Sequence, residues 1–344
     1  MLRNLGKDVM KEEKNVKVSI VIPMYNVSDY IGNCVKSVTK QTYPNTECII
    51  VNDCSTDDSV AKCESVISSY QGPIQFRILQ HEHNRGVSAA RNTGTEAVTG
   101  QFIYYLDSDD VISNECIEKL LAPMLKDETI EVVQGRSIIF KSKDYDNLSK
   151  GPDMQPVDLV GRDLIQEEFY DSHKWPTGHR HIVVYTINKL MRIDFVRNNR
   201  LKYKEGQLWE DVLWFFYMIN SVNHMYLVPD LTYFYCKRPN SITTGTIPQK
   251  EIIESGRVYN EIANHLIPEK NGRQAKYMYK AFLNNYARNP EYKQFKPAVK
   301  CFRKTLEANH FKKDVVIFTV TEFLLRFRVF RTLFRLTEKF LRKK

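Results

Sequence analysis

The sequence predicts an α/β fold, a mainly parallel sheet flanked by helices, followed by a helical carboxy-terminal extension. Three observations predict it. Between Val18 and about Phe140, short apolar, β-branched runs alternate with stretches of helical periodicity, the pattern of βαβ units. Polar and charged residues gather just past two of these runs, at Asn52-Asp53-Cys54-Ser55 and Asp107-Ser108-Asp109-Asp110, where open α/β sheets hold their ligands. From Gln249 onward the pattern is helical almost to the end.

Taken in order, Val18-Ser19-Ile20-Val21-Ile22 reads as the first strand, stopped by Pro23. Ser28 stands where an N-cap would, and Ile31, Val35 and Val38 recur at helical spacing. Cys48 to Val51 is the second strand, Ile74 to Leu79 the third and Phe102 to Leu106 the fourth, each after a helical segment. Small residues at Ala89, Ala90, Gly94 and Ala97 let the helix after Gly86 lie close against the sheet. Lys141 to Pro156 is polar and rich in turn residues. Beyond it come Trp175-Pro176-Thr177-Gly178, a strand-like His181 to Tyr185 and a helix from Glu210 to about Asn220.

At 344 residues and 42% hydrophobic composition the chain has material for a full core and is about twice a typical domain in length. The net charge of +9 is uneven: residues 301–344 hold twelve Lys and Arg against four Asp and Glu, leaving +1 for the other 300. Basicity is thus a property of the tail, and a general nucleic-acid-binding surface is not expected. Seven scattered cysteines without a CxxC pair read as reduced, mostly buried small hydrophobes. Met1 to Lys17 carries no apolar secretion signal and no stretch reaches about 18 uninterrupted apolar residues, so a cytoplasmic location is expected.

Three clusters carry chemistry. Three carboxylates in four residues at Asp107-Ser108-Asp109-Asp110 repel one another unless a cation or several donors compensate, and Mg²⁺ or Mn²⁺ shared with diphosphate oxygens would do so. The structural alternative has Asp110 or Ser113 capping the helix from Glu115 to Leu125. Asp53, at the end of the second strand, can accept bonds from a ring N–H or ribose hydroxyls or serve plain turn chemistry, while Asp57 or Asp58 caps the next helix. Arg91 sits one turn into its helix, poorly placed for the helix dipole unless it answers an anion. A phosphate, or an ion pair to Asp53 or Asp107, would supply one.

The segments Ser19-Ile20-Val21-Ile22-Pro23-Met24-Tyr25-Asn26, Val51-Asn52-Asp53-Cys54-Ser55-Thr56-Asp57, Gly86-Val87-Ser88-Ala89-Ala90-Arg91-Asn92 and Asp107-Ser108-Asp109-Asp110, in this order and spacing, resemble the bacterial family 2 inverting glycosyltransferases of the GT-A fold. The resemblance covers about the first 125 residues and says little about the sugar. It implies that Pro23, Tyr25 and Asp53 contact the uracil and ribose of a UDP-sugar, with Asn26 and Ser108 among the donor-binding positions. Arg91 would support the pyrophosphate site, Asp107 would meet ribose or metal, and Asp109 would be the principal Mn²⁺ or Mg²⁺ ligand.

An inverting transfer also needs a general base for the acceptor hydroxyl. Trp209-Glu210-Asp211-Val212 resembles the family's Glu-Asp motif, which makes Asp211 the base and Glu210 its neighbour; helix capping is the alternative. Tyr233 to Thr243 resembles the loop that closes over the donor, with Arg238 on a phosphate. The implied organisation is a nucleotide-sugar-binding half over 1–125, an acceptor-binding half over 126–245 and a helical region with a basic amphipathic tail over 246–344. In that tail Phe323, Phe327, Phe330, Phe334 and Leu341 share one helical side and Arg328, Arg331, Arg335, Lys339 and Arg342 the other. Residues 314–344 would lie on an anionic membrane surface, peripherally and on its cytoplasmic face, or pack on the body.

The expected activity is the addition of one sugar from a nucleotide-sugar to a saccharide, lipid-linked, in surface-polysaccharide synthesis. The chain lacks the membrane spans and Gln-x-x-Arg-Trp motif of the family's extruding polymerases. Two rivals are a nucleotidyltransferase, which should carry a Gly-rich, lysine-containing loop after the first strand, and a non-catalytic membrane scaffold.

Overall fold

The structure is a computed structural model that describes residues 16–141, 157–158, 168–171 and 185–237, and then 257–258, 261–265, 276, 279, 283, 296–308, 310–325, 327, 330 and 332. Trp175 to Gly178, His181 to Val184 and Arg238 lie outside the described residues. The chain divides into two compact units, Met1–Gly245 and Thr246–Lys344.

The first unit is built on one ten-stranded sheet: β1 (Val18–Met24), β2 (Thr46–Asn52), β3 (Gln75–Gln80), β4 (Phe102–Tyr105), β5 (Val111–Ile112), β6 (Val132–Lys141), β7 (Val157–Asp158), β8 (Glu168–Asp171), β9 (Lys189–Arg192) and β10 (His224–Lys237). Its path runs β3-β2-β1-β4-β9-β6-β10-β5, with β7 on β6 and β8 on β10. The sheet is mixed. β3-β2-β1-β4 is parallel, as is the β6-β10 pair, and β9 joins the two parallel parts by running antiparallel to both β4 and β6.

Every residue of β1 and β2 is buried, so these strands read as continuous apolar runs and need cover on both faces. One face packs on α1 (Ile31–Thr39), α2 (Ser59–Ser69) and α4 (Cys116–Lys126), through Ile20, Ile22, Val35, Ile50 and Leu120. The other packs on α3 (Val87–Glu96), α5 (Ile193–Asn198) and α6 (Glu210–Ser221), through Val21, Ile49, Ala90, Val196 and Trp214. The small residues of α3 have the expected use: a Cβ on Gly94 would lie 2.3 Å from Val21 Cγ1, so only glycine lets the helix approach this closely.

Two capping expectations change. Ser28 does not cap α1; its N–H donates to Asp57 Oδ2 at 3.0 Å, and the helix begins after Tyr30. Neither Asp110 nor Ser113 caps α4, whose N-cap is Glu115 with no side-chain cap bond. Asp110 is drawn to β10 instead, where Tyr233 Oη donates to Oδ2 at 2.5 Å and Cys236 N to Oδ1 at 2.7 Å.

The second unit contains α7 (Lys296–Ala308) and α8 (Lys312–Leu324). Tyr279 stacks on Phe302 and meets Phe318, and its hydroxyl donates to the buried Glu322, which also receives Arg303. Val316, Ile317, Val320, Phe323, Phe327 and Phe330 are exposed.

Candidate functional site

Asp107 follows β4, and Arg91 faces it from the second turn of α3. Arg91 Nη2 donates to Asp107 Oδ1 at 2.8 Å and Nη1 to Glu210 Oε1 at 2.9 Å. The guanidinium is 6% exposed and lies over the Tyr203 ring, 5.3 Å from its centroid. Of the two sequence-level options for Arg91, the ion pair to Asp107 is present. The same residue also reaches the Glu-Asp pair 119 positions away, and this second contact had no signature in the sequence. A planar fork with two separated N–H groups is suited to such a bridge, which an ammonium point charge cannot reproduce. Arg91 Nε is buried without a partner among the described residues.

Glu210 and Asp211 open α6. The residue before them, Trp209, has φ +64°, a left-handed conformation uncommon for a bulky side chain. Backbone strain of this kind persists where surrounding contacts over-determine it. Those contacts come from α3 and its approach: Asn92 Nδ2 donates to Tyr203 O and Tyr203 N donates to Asn92 Oδ1, each at 2.9 Å, and Arg85 pairs with Glu205 at 3.1 Å. Tyr203 in turn stacks on Trp214 at 5.3 Å between centroids. The connection 199–209 is therefore held in its middle, at Tyr203 and Glu205, just before α6 begins.

Asp211 Oδ1 accepts the N–H of its own neighbour Val212 at 2.8 Å. Burial pushes its carboxyl up, the charge of Glu210 adds to this, and Arg91 opposes both; the result stands at about 7. A carboxylate with such a value can exchange a proton near neutrality.

The other predicted residues are engaged differently. Asp53 is 2% exposed; its Oδ1 meets His81 Nδ1 at 2.6 Å and Arg85 N at 2.8 Å, and its Oδ2 accepts Gly86 N at 2.7 Å. Its carboxylate thus shapes the turn into α3, where Gly86 has φ +89°. Pro23 is buried in β1 opposite Val51, while Tyr25 is exposed beside Asn26, whose Oδ1 accepts Thr56 N at 2.8 Å. Ser108 is buried. Tyr233 to Lys237, expected in a loop, instead complete β10, paired to β6. Functional neighbours that sequence reasoning missed are Asn92, Tyr203 and Glu205. Asn92 belongs to the Gly86–Asn92 segment that carries the family resemblance, whereas Tyr203 and Glu205 sit in a stretch without periodicity.

Among the described residues no three His, Cys, Asp or Glu side chains converge as a metal-binding group. Asp107, 28% exposed, and the half-buried Asp109 offer two hard oxygen donors. That donor set fits a Mg²⁺ or Mn²⁺ that takes one or two carboxylates and completes its shell from water and diphosphate.

Residues 19–196 match the family described as "Glycosyl transferase family 2". Among curated relatives, the glycosyltransferase GlyG of Streptococcus pneumoniae serotype 4 is 27% identical over 65% of this chain and 72% of its own. The uncharacterized glycosyltransferase YibD of Escherichia coli K12 is 30% identical over 64% of this chain and 61% of its own. Poly(ribitol-phosphate) beta-N-acetylglucosaminyltransferase TarS of Staphylococcus aureus MW2 is 26% identical over 65% of this chain and 36% of its own. The matched region thus spans less than two thirds of the length of the last two. Crystal structures of S. aureus TarS 1-349 have a similar fold; the complex with UDP-GlcNAc gives a TM-score of 0.66 at 19% identity, over 93% of this chain and 92% of that one.

Proposed function

The chain belongs to glycosyl transferase family 2, and from that premise we propose that it moves one sugar from a UDP-sugar to a saccharide acceptor with inversion at the anomeric carbon. The observation that carries the reading is Asp211, set beside Glu210 on the far side of the Arg91 bridge from Asp107, with its carboxyl pushed up to about 7. In the transfer, an Asp211 oxygen takes the acceptor's hydroxyl proton as that oxygen bonds to the anomeric carbon. The bond from that carbon to the diphosphate breaks, and UDP leaves with the electron pair. Asp107 and Asp109 would hold the divalent cation, which supplies charge neutralisation for the leaving diphosphate. Arg91, bonded to one carboxylate on each side, would keep the donor and acceptor sides in register. A UDP donor is supported by the fold shared with TarS, whose structure holds UDP-GlcNAc.

The test is UDP release from a panel of UDP-sugars with Mn²⁺, UDP-GlcNAc first, over pH 5 to 9. Asp211→Asn should lose at least about 10²-fold in kcat while keeping its thermal shift with UDP. Asp211 acts unprotonated, so kcat/KM should rise about tenfold per pH unit below about 7 and level off above it. A profile flat from pH 5.5 to 8, or an active Asp211→Asn, would sink the base assignment.

The acceptor is proposed to be lipid-linked. Val316, Val320, Phe323, Phe327 and Phe330 recur at three- and four-residue steps, all exposed; the first three lie on α8, which Lys312 and Lys313 open, and the last two follow its end. Such an apolar stripe with flanking cations suits the surface of an anionic bilayer. None of the described helices is long and apolar enough to cross one. Phe323→Asp with Phe327→Asp should abolish co-sedimentation with phosphatidylglycerol vesicles and leave UDP release unchanged; equal co-sedimentation would assign the stripe to packing.

A further inference from the structure

In the parallel part of the sheet, ordered β3-β2-β1-β4, the chain moves outward from β1 to β2 and β3 and then returns to the other side of β1 as β4. The reversal falls between β1 and β4, and in open α/β sheets the ligand crevice lies outside the carboxyl ends of the strands at such a point. Asp107 follows β4 there, and Tyr25 follows β1. Tyr25 is 46% exposed, and among the described residues its ring has no hydrogen-bond, aromatic or cationic partner. A bare aromatic ring at a nucleotide crevice suits stacking on a flat heteroaromatic group. UDP offers one such group, its uracil.

The chain on both sides of Tyr25 is fastened to the loop that follows β2. Before it, Met24 O accepts Asp53 N at 2.8 Å. After it, Asn26 N donates to Ser55 Oγ at 3.1 Å, Val27 N to Ser59 Oγ at 2.8 Å and Ser28 N to Asp57 Oδ2 at 3.0 Å. Asn26 also reaches across with its side chain, where Oδ1 accepts Thr56 N at 2.8 Å and Thr56 Oγ1 at 3.4 Å. Its backbone has φ +48°, in the left-handed region that asparagine tolerates better than most residues with a Cβ. One residue thus turns the chain at the end of β1 and ties that turn to the neighbouring loop. Resting on the reading of the donor as a UDP-sugar, we propose that Asn26 is a positioning residue for the donor's nucleobase. Its turn and its bond to Thr56 hold the Tyr25 ring at the crevice for the uracil to stack on, so Asn26 acts through Tyr25 and not by touching the nucleotide.

Calorimetric titration of the full chain with UDP and, separately, with inorganic diphosphate, both with Mn²⁺, separates base from phosphate; a thermal melt of each variant accompanies it. Tyr25→Ala should weaken UDP about tenfold, the scale of one base–aromatic stack, and leave inorganic diphosphate within about twofold. Asn26→Ala removes both the bond and the tolerance of the turn and should approach the same loss. Asn26→Gly keeps the turn without the bond and should lose about threefold, while Asn26→Asp keeps the oxygen and should recover most of the affinity. With the UDP-sugar that the donor panel identifies, the losses should appear in KM with kcat within about twofold, as for binding shared by ground and transition states. Because Asn26 acts through Tyr25, Tyr25→Ala combined with Asn26→Ala should bind UDP within about twofold of Tyr25→Ala alone, whereas independent contributions would multiply. Multiplied losses overturn the proposal, and so does an Asn26→Asp protein as weak as Asn26→Ala, which would point to direct contact through the amide nitrogen. If Asn26→Ala fails to fold, the same cycle with Asn26→Gly decides. Should the unsubstituted protein bind no UDP, the donor reading fails and this inference with it. If UDP binds but Tyr25→Ala leaves it unchanged, or if Tyr25→Ala weakens it while Asn26→Ala and Asn26→Gly do not, the donor reading stands and only the role of Asn26 is lost.

Discussion

Two groups of acids, Asp53, Asp57 and Asp110 in the first and Glu210 and Asp211 in the second, stand at strand ends and helix starts of one sheet, yet they are satisfied in different ways. The first group accepts N–H bonds from segments close in space and far in sequence. Asp53 takes Arg85 and Gly86, Asp57 takes Ser28, and Asp110 takes Cys236, each about 30 to 126 positions away. These carboxylates are framework. For Asp57, burial pushes the carboxyl up and the bonds from Ser59 and Ser28 outweigh it, holding it below the usual range. Asp110 goes the other way, because complete burial and the charges of Asp109 and Asp107 exceed what its two bonds return.

Glu210 and Asp211 have no such backing from distant amides. One relies on the guanidinium of Arg91 and the other on the N–H of the next residue. On the proposed reading the difference matters for Asp211: left with one local bond beside a like charge, and with its carboxyl pushed up to about 7, it is the acid suited to taking a proton near neutrality.

The comparison is broken most directly at Arg91, which ties Glu210 to the strand end that carries Asp107. Arg91→Met leaves Asp107 and Glu210 uncompensated and removes the stacking on Tyr203. Removing one partner of a buried pair costs about 3–5 kcal/mol, so the urea midpoint should fall sharply and UDP release should be lost. Arg91→Lys should recover part of the stability and little of the activity, because an ammonium does not present two separated N–H groups in the fixed plane that reaches both carboxylates. If Arg91→Met unfolds within about 1 kcal/mol of the original protein, a typical surface-pair value, the bridge is not what joins the two sides.

The same contrast explains what could be read from the chain in advance. β1, β2 and β4, buried on both faces, announce themselves as runs such as Ile20-Val21-Ile22 and Ile49-Ile50-Val51, and the acidic strand ends follow from topology. β9 does not: Lys189-Leu190-Met191-Arg192 carries two cations in four residues, and only its insertion between β4 and β6 makes a strand of it. β10 was hidden in part by Pro229 and in part because its far end resembled a loop. Arg91 and Asp107 could be paired from their positions near one strand end. Glu210 could not be added, because Tyr203, Asn92 and Glu205, which bring α6 to α3, form a contact set with no sequence period.

A smaller effect sharpens the comparison from the framework side. Tyr233→Phe removes the hydroxyl that donates to Asp110 Oδ2 and leaves the bond from Cys236 N in place. A buried acceptor that loses one partner costs about 1–3 kcal/mol, and the ring, itself buried in the core against β4 and β5, is kept. The midpoint of denaturation should shift by that amount, with the denaturant slope unchanged. Turnover on the UDP-sugar should fall only a few-fold, since Arg91, Glu210 and Asp211 keep their contacts and Asp107 loses only the 3.5 Å bond from its N–H to the Tyr233 hydroxyl. A Tyr233→Phe protein that is fully stable but slow would place Asp110 with the reactive acids instead of the framework ones, and the division drawn at Arg91 would have to move to the strand end itself.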